Sequence, residues 1–110
     1  MNVLTHAGAA EEYRELPERE QDAIDNAIAK LRALGDQLGY PHSSAVKGAD
    51  RLRELRPRAG RSPWRAFYRR IGDVAVIGAF GPEASVDPRG FQAALQRAAD
   101  RLAAYEAKER

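Results

Sequence analysis

Arginine is the side chain this chain concentrates. Between Lys47 and Arg70, in KGADRLRELRPRAGRSPWRAFYRR, stand nine positive residues: Lys47, Arg51, Arg53, Arg56, Arg58, Arg61, Arg65, Arg69 and Arg70. Only Asp50 and Glu54 oppose them, a local net charge of +7 (9 − 2). Residues 1–46 carry four positives and eight negatives, and residues 71–110 five and six, so the overall +2 hides a basic middle in an acidic frame. A guanidinium fork binds phosphate through paired hydrogen bonds and stacks on bases. A polyanion, RNA first, is the expected partner. A cluster this lopsided repels itself unless an anion or acidic partner neutralises it. The plainer alternative is a solvated basic edge that blunts strand pairing.

Other reactive types are sparse. Glu54 lies inside the basic run, where it can act as a general base or as the ion-pair partner that orients Arg65 or Arg56. Trp64, Phe67 and Tyr68 are interleaved with the arginines and can stack on bases, although aromatics in a strand more often fill a core. His6 and His42 show no ligand spacing, so no metal site is expected; His42, in a loop, is a candidate proton carrier. Zero cysteines excludes disulfides and thiolate chemistry. No glycine run has the form of a phosphate loop.

The elements that must carry these residues follow from pattern. At 110 residues one domain is expected, with no second core. No apolar run nears the ~20 residues that span a bilayer, and MNVLTHAGAAEEYRE lacks the form of a signal peptide; a cytoplasmic protein is expected. Residues 2–5 are a short strand candidate or a frayed end, and Ala7–Glu15 favours helix. Pro17 with Glu18, Glu20 and Asp22 starts a second helix, whose Ala23, Ile24, Ala27, Ile28, Leu31 and Leu34 share a face before Gly35 or Gly39 ends it. Residues 39–50 read as a loop. Arg53–Pro57, Pro63–Ile71 and Asp73–Phe80 read as three antiparallel strands, the last two joined by a Gly-Asp hairpin. Alternation puts Trp64, Ala66 and Tyr68 on one face and Arg65, Phe67 and Arg69 on the other. A last helix starts at Asp87 and Pro88, with Phe91, Ala94, Leu95, Ala98, Leu102 and Tyr105 on one face.

Three features together carry a family resemblance. They are the order of elements, the segment Leu38-Gly39-Tyr40-Pro41 leading to Val46-Lys47-Gly48, and Glu54-Leu55-Arg56 followed by Arg65-x-x-Tyr68 and a Val/Ile strand. The chain resembles HigB-type toxins of the RelE/ParE superfamily of type II toxin–antitoxin systems, over approximately residues 10–105. The resemblance implies a single RelE/HigB-like toxin domain over residues 1–110. Its fold would be α+β: a three- to four-stranded antiparallel sheet packed by two N-terminal helices and one C-terminal helix. It implies a ribosome-dependent mRNA endonuclease that uses no metal or other cofactor and yields a 2′,3′-cyclic phosphate. It also implies a small antitoxin partner, typically a helix-turn-helix DNA-binding protein, and the patch charge suggests that it carries an acidic segment. Arg65 matches the family's phosphate-stabilising arginine and Arg56 the arginine of the neighbouring strand. Tyr68 and Glu54 complete the expected catalytic set, with Lys47, Arg51, Arg53, Arg58, Arg61, Trp64 and Arg69 holding RNA.

The chain also departs from the family. Leu52 and Glu54 stand where many RelE-like members carry lysines, Gly81 to Ser85 where many HigB-like members are basic, and Phe91 where a tyrosine is often found. Two further readings therefore stand beside the endonuclease. One is a non-nucleolytic, ParE-like toxin; the other is a degenerate domain that only binds RNA or antitoxin.

Overall fold

The computed structural model describes residues 1–109. Its elements are β1 (Asn2–Thr5), α1 (Ala7–Glu15), α2 (Glu18–Leu34), β2 (Ser43–Ala45), β3 (Arg53–Leu55), β4 (Trp64–Ile71), β5 (Val74–Pro82) and α3 (Pro88–Lys108). The helix ends obey local chemistry. His6 caps α1 by accepting from the Gly8 N–H through Nδ1 at 3.0 Å. Glu18 and Glu20 face the positive end of α2, and Gly35 terminates it at φ 53°. Asp87 caps α3 by accepting from the Gly90 N–H at 2.9 Å, with Pro88 in the first turn.

The strands form one sheet in the order β1-β5-β4-β3-β2. β2 through β5 pair antiparallel, while β1 runs parallel to β5. The α+β fold with two N-terminal helices and one C-terminal helix is as the sequence implies, but the sheet is mixed and has five strands. The added edge strand is β2, which lies inside the stretch read as a loop. Three residues are too few for alternation to register.

Helices cover both faces. Against α1 and α2 pack Leu55, Ala66, Tyr68, Ile77 and Phe80 with Ile24, Ala27 and Leu31. Against α3 pack Phe67, Val76 and Ala79 with Ala94, Ala98 and Leu102. A β5 covered on both sides must be apolar on both, which is why Val74–Phe80 shows no alternation. The α2 face is one residue shorter than its periodicity suggests, since Leu34 is 49% exposed. Small residues let α3 lie close on β5: a Cβ added to Gly81 would stand 2.4 Å from the Ala94 Cβ. Where β1 ends, side chains complete the β5 edge. Glu12 accepts from the Phe80 N–H at 3.0 Å, and Arg101 donates to the Gly78 carbonyl at 2.9 Å. Glu12 also holds Arg97 and Arg101 at 2.7 and 3.1 Å, joining α1, β5 and α3. No helix among the described residues is long and apolar enough to cross a membrane.

Candidate functional site

The acidic frame folds back onto the basic segment. Glu106 on α3 pairs with Arg51 and Arg69, each at 2.8 Å. Glu20 on α2 takes Arg58 at 2.9 Å and also accepts from the Ser62 hydroxyl at 2.8 Å. Asp36 takes Arg70. Glu54 lies between Arg56 and Arg65, and Glu83 approaches Arg65 at 3.8 Å. The neutralising anions predicted for this segment are therefore largely its own. Among the described residues, only Lys47, Arg53 and Arg61 of the nine cations have no carboxylate within 4.0 Å. Burial would raise the Glu20 pKa, but hydrogen bonds from Arg58 and Ser62 outweigh it and hold the carboxyl below its usual range.

Arg65 is the buried centre of one cluster, with its residue only 2% exposed. Its Nη1 donates to the carbonyls of Ser62 at 2.7 Å and Trp64 at 2.9 Å, and its Nη2 to that of Gly60 at 3.3 Å. Burial, and then the neighbouring Arg56 charge, lower its pKa from the usual arginine value. The Gly60 and Ser62 carbonyls belong to the β3–β4 connection and that of Trp64 to the first residue of β4. In the connection Arg58, Ala59 and Gly60 hold φ of 54°, 55° and 92° in succession. Positive φ at non-glycine residues is strained, and Arg65 from one side and the Glu20–Arg58 pair from the other hold it. Gly60 also leaves room for Arg56, whose Nη2 would lie 2.5 Å from an added Cβ. As placed, Arg65 reaches backbone and Glu54 rather than solvent.

The accessible chemistry lies one step outward, at the β2–β3 edge. Glu54 Oε1 is 3.5 Å from Arg65 Nε and accepts from Arg56 Nη1 at 2.8 Å. Arg56 Nε donates to the Pro41 carbonyl at 3.0 Å, and its Cζ lies 5.2 Å from the Tyr40 ring centroid. The Arg56 N–H donates to the His42 carbonyl at 2.8 Å, which fixes the two residues as neighbours. His42, Arg56, Arg58, Lys30, Asn26 and Asp22 line a cleft of about 200 Å³ between α2 and β3. That is smaller than pockets enclosing drug-sized ligands and suits an open contact with a polymer. It brings a cation and an imidazole together.

The remaining predicted residues are dispersed. Tyr68 is 4% exposed, its hydroxyl 2.6 Å from Ser43 Oγ, and Phe67 is fully buried; both serve the core. Trp64 is half-buried against the α1/α2 cluster. Arg53 donates to Ser43 Oγ at 3.0 Å, and Arg69 is held by Glu106 and the Asp50 carbonyl. Arg51 is at the surface beside Glu106. Arg61 is exposed and donates to the Arg58 carbonyl, while Lys47 lies exposed beside Gln92 and Gln96 of α3. Residues the sequence did not mark as site members are Tyr40, Glu20, Glu83 and Glu106. Tyr40 adjoins proline in a loop, which is a weak signal; the three acids carry none. Among the described residues no group of three His, Cys, Asp or Glu side chains could hold a metal ion.

Two solved structures share this fold. A mutant of the E. coli toxin RelE in the free state is 15% identical, with a TM-score of 0.61 over 87% of this chain and 95% of that one. The isolated E. coli RelE toxin is 14% identical, with a TM-score of 0.59 over 83% and 95%. The curated proteins contain no match to the chain. Residues 11–79, more than half of the sequence and including β2, β3, β4 and the Glu54–Arg56–Arg65 cluster, match the family described as phage derived protein Gp49-like (DUF891), and the chain belongs to that family.

Proposed function

We propose that this protein is the toxin of a type II toxin–antitoxin system, of HigB-like character, and cleaves mRNA on the ribosome in the cytoplasm. The observation that carries the reading is Arg56, fixed by Glu54 and the Pro41 carbonyl and sharing a cleft with His42. The reaction needs three things: a base, a cation and an acid. The RNA 2′-hydroxyl gives up its proton to a base as its oxygen attacks the adjacent phosphorus. The bond from phosphorus to the 5′-oxygen breaks, and that oxygen takes a proton. The products are a 2′,3′-cyclic phosphate and a 5′-hydroxyl. Arg56 stabilises the charge developing on the non-bridging oxygens. His42 is the imidazole in that cleft and is assigned the proton transfer. Glu54 spends its Oε1 on arginines and acts as the orienting residue, with Arg65 behind it as a positioning residue.

An antitoxin supplies the second partner. The six carboxylates around the basic segment leave an excess of three positive charges, at Lys47, Arg53 and Arg61, for an acidic segment to meet. One observation favours the ParE-like, non-nucleolytic reading: Arg65, the arginine matching the family's phosphate ligand, is sealed from solvent. Induced expression in bacteria with mapping of mRNA 5′ ends separates the two. Growth arrest with new 5′-hydroxyl ends that Arg56→Ala abolishes supports the endonuclease. Arrest without new ends supports the non-nucleolytic reading.

A further inference from the structure

Tyr40 is not explained by packing. It belongs to neither hydrophobic cluster and is 77% exposed, the most of any large apolar side chain in the described residues. An exposed ring beside a cluster of cations has the form of a residue that stacks on a base. One face is already occupied, because the Arg56 guanidinium lies 5.2 Å from the ring centroid. That guanidinium is not a loose surface group. The Pro41 carbonyl and Glu54 hold it by two hydrogen bonds, at 3.0 and 2.8 Å. The cation is thus fixed beneath the ring, and the 77% exposure leaves the other face of the ring open. Two residues along the chain, His42 enters the cleft that Arg56, Arg58 and Lys30 also line.

We infer that Tyr40 and Arg56 form a stacking platform for one unpaired RNA base, placed on the open face of the Tyr40 ring, with the adjoining phosphate directed to Arg56 and the His42 cleft. The inference rests on the RNA-directed reading above and adds to it the element that positions the substrate. Stacking on an aromatic ring is tolerant of base identity, since every base has a π-face. The platform therefore sets which phosphodiester meets Arg56 rather than which sequence is read. It also gives the endonuclease the fixed alignment that in-line attack requires.

The test is a binding titration of the full chain with a short single-stranded oligoribonucleotide carrying 2-aminopurine, followed by anisotropy and by fluorescence quenching at several salt concentrations. Wild type is expected to bind and quench. Tyr40→Leu weakens binding about 5- to 150-fold and loses the quench, while its salt dependence stays that of wild type because no charge is removed. Tyr40→Phe keeps both signals. Arg56→Ala weakens binding with a shallower salt dependence, by about 0.7 in the log–log slope. Tyr40 is exposed and in a loop, so its variants are expected to fold, which circular dichroism checks. Wild-type-like binding and quenching by Tyr40→Leu overturns the platform and leaves the RNA reading standing. Failure of the wild type to bind the oligonucleotide also overturns the platform, and the exposed ring then belongs to a protein contact; cleavage on the ribosome is decided separately by mapping mRNA 5′ ends.

Discussion

Replacing Arg65 is the sharpest test of how the arginine cluster is built. The side chain is 2% exposed, satisfies three backbone carbonyls in the β3–β4 connection and at the start of β4, and lies 3.5 Å from Glu54. Arg65→Ala removes all of this and leaves three carbonyls and one flank of Glu54 without their partner. Breaking a buried charged pair costs about 3–5 kcal/mol. Glu54 keeps Arg56 and is partly exposed, so the lower end is expected, about 3 kcal/mol. Against a domain stability of about 5–15 kcal/mol that is severe, and the melting temperature should fall by roughly 10 °C or more. Arg65→Lys keeps the charge but cannot span three carbonyls, and should cost about 1.5–3 kcal/mol. Trp64 is the only tryptophan and adjoins the substituted residue, so urea unfolding followed by its fluorescence reads the change directly. A loss within about 0.5 kcal/mol of wild type would refute the reasoning, for it would mean that the guanidinium is free to meet phosphate and is not a structural clamp.

Other consequences follow from particular contacts. Gly81→Ala drives a methyl group to 2.4 Å from the Ala94 Cβ and should destabilise by about 1–3 kcal/mol in the same unfolding assay, with α3 docking disturbed. Glu20 has its pKa lowered on folding, so its contribution to stability is present above about pH 4.5 and is lost as pH falls through the folded value. Glu20→Gln should therefore be less stable at neutral pH and show a flatter acid limb between pH 4.5 and lower values. The Tyr13 phenol is pushed up to about 12 by burial, then by its hydrogen bond to Asp25. Stability from that group is complete below pH 10 and lost as pH rises through about 12. Ultraviolet titration of tyrosinate should show one of the four tyrosines ionising near 12, and Asp25→Asn should move it down.

The helices were legible because their signals are local: Glu18 and Glu20 start α2, Gly35 ends it, and Asp87 with Pro88 starts α3. β2 was not, since three residues among glycine, proline and serine carry no period. The parallel pairing of β1 with β5 joins residues some seventy positions apart, and nothing in Asn2–Thr5 records its direction. Within the site, Glu54 and Arg56 could be placed on one face by alternation alone, and the register sets Glu54 opposite Phe67, diagonal to Arg65. The burial of Arg65 could not be foreseen, because arginine is almost never fully buried unless paired. Its neighbours in charge come from elsewhere in the chain. Glu20, Asp36, Glu83 and Glu106 reach the basic segment only through tertiary packing, so a +7 stretch of sequence becomes a network of ion pairs with a small remaining excess.

The most direct measurement uses purified translating ribosomes programmed with a defined mRNA, in the presence of wild type or Arg56→Ala, with the cleavage ends identified chemically. Wild type is predicted to produce 5′-hydroxyl and 2′,3′-cyclic phosphate ends at recurrent in-frame positions, and Arg56→Ala, folded by circular dichroism, to produce none. Intact mRNA with wild type, or equal cleavage by Arg56→Ala, would contradict the assignment of this cleft as the site of RNA cleavage.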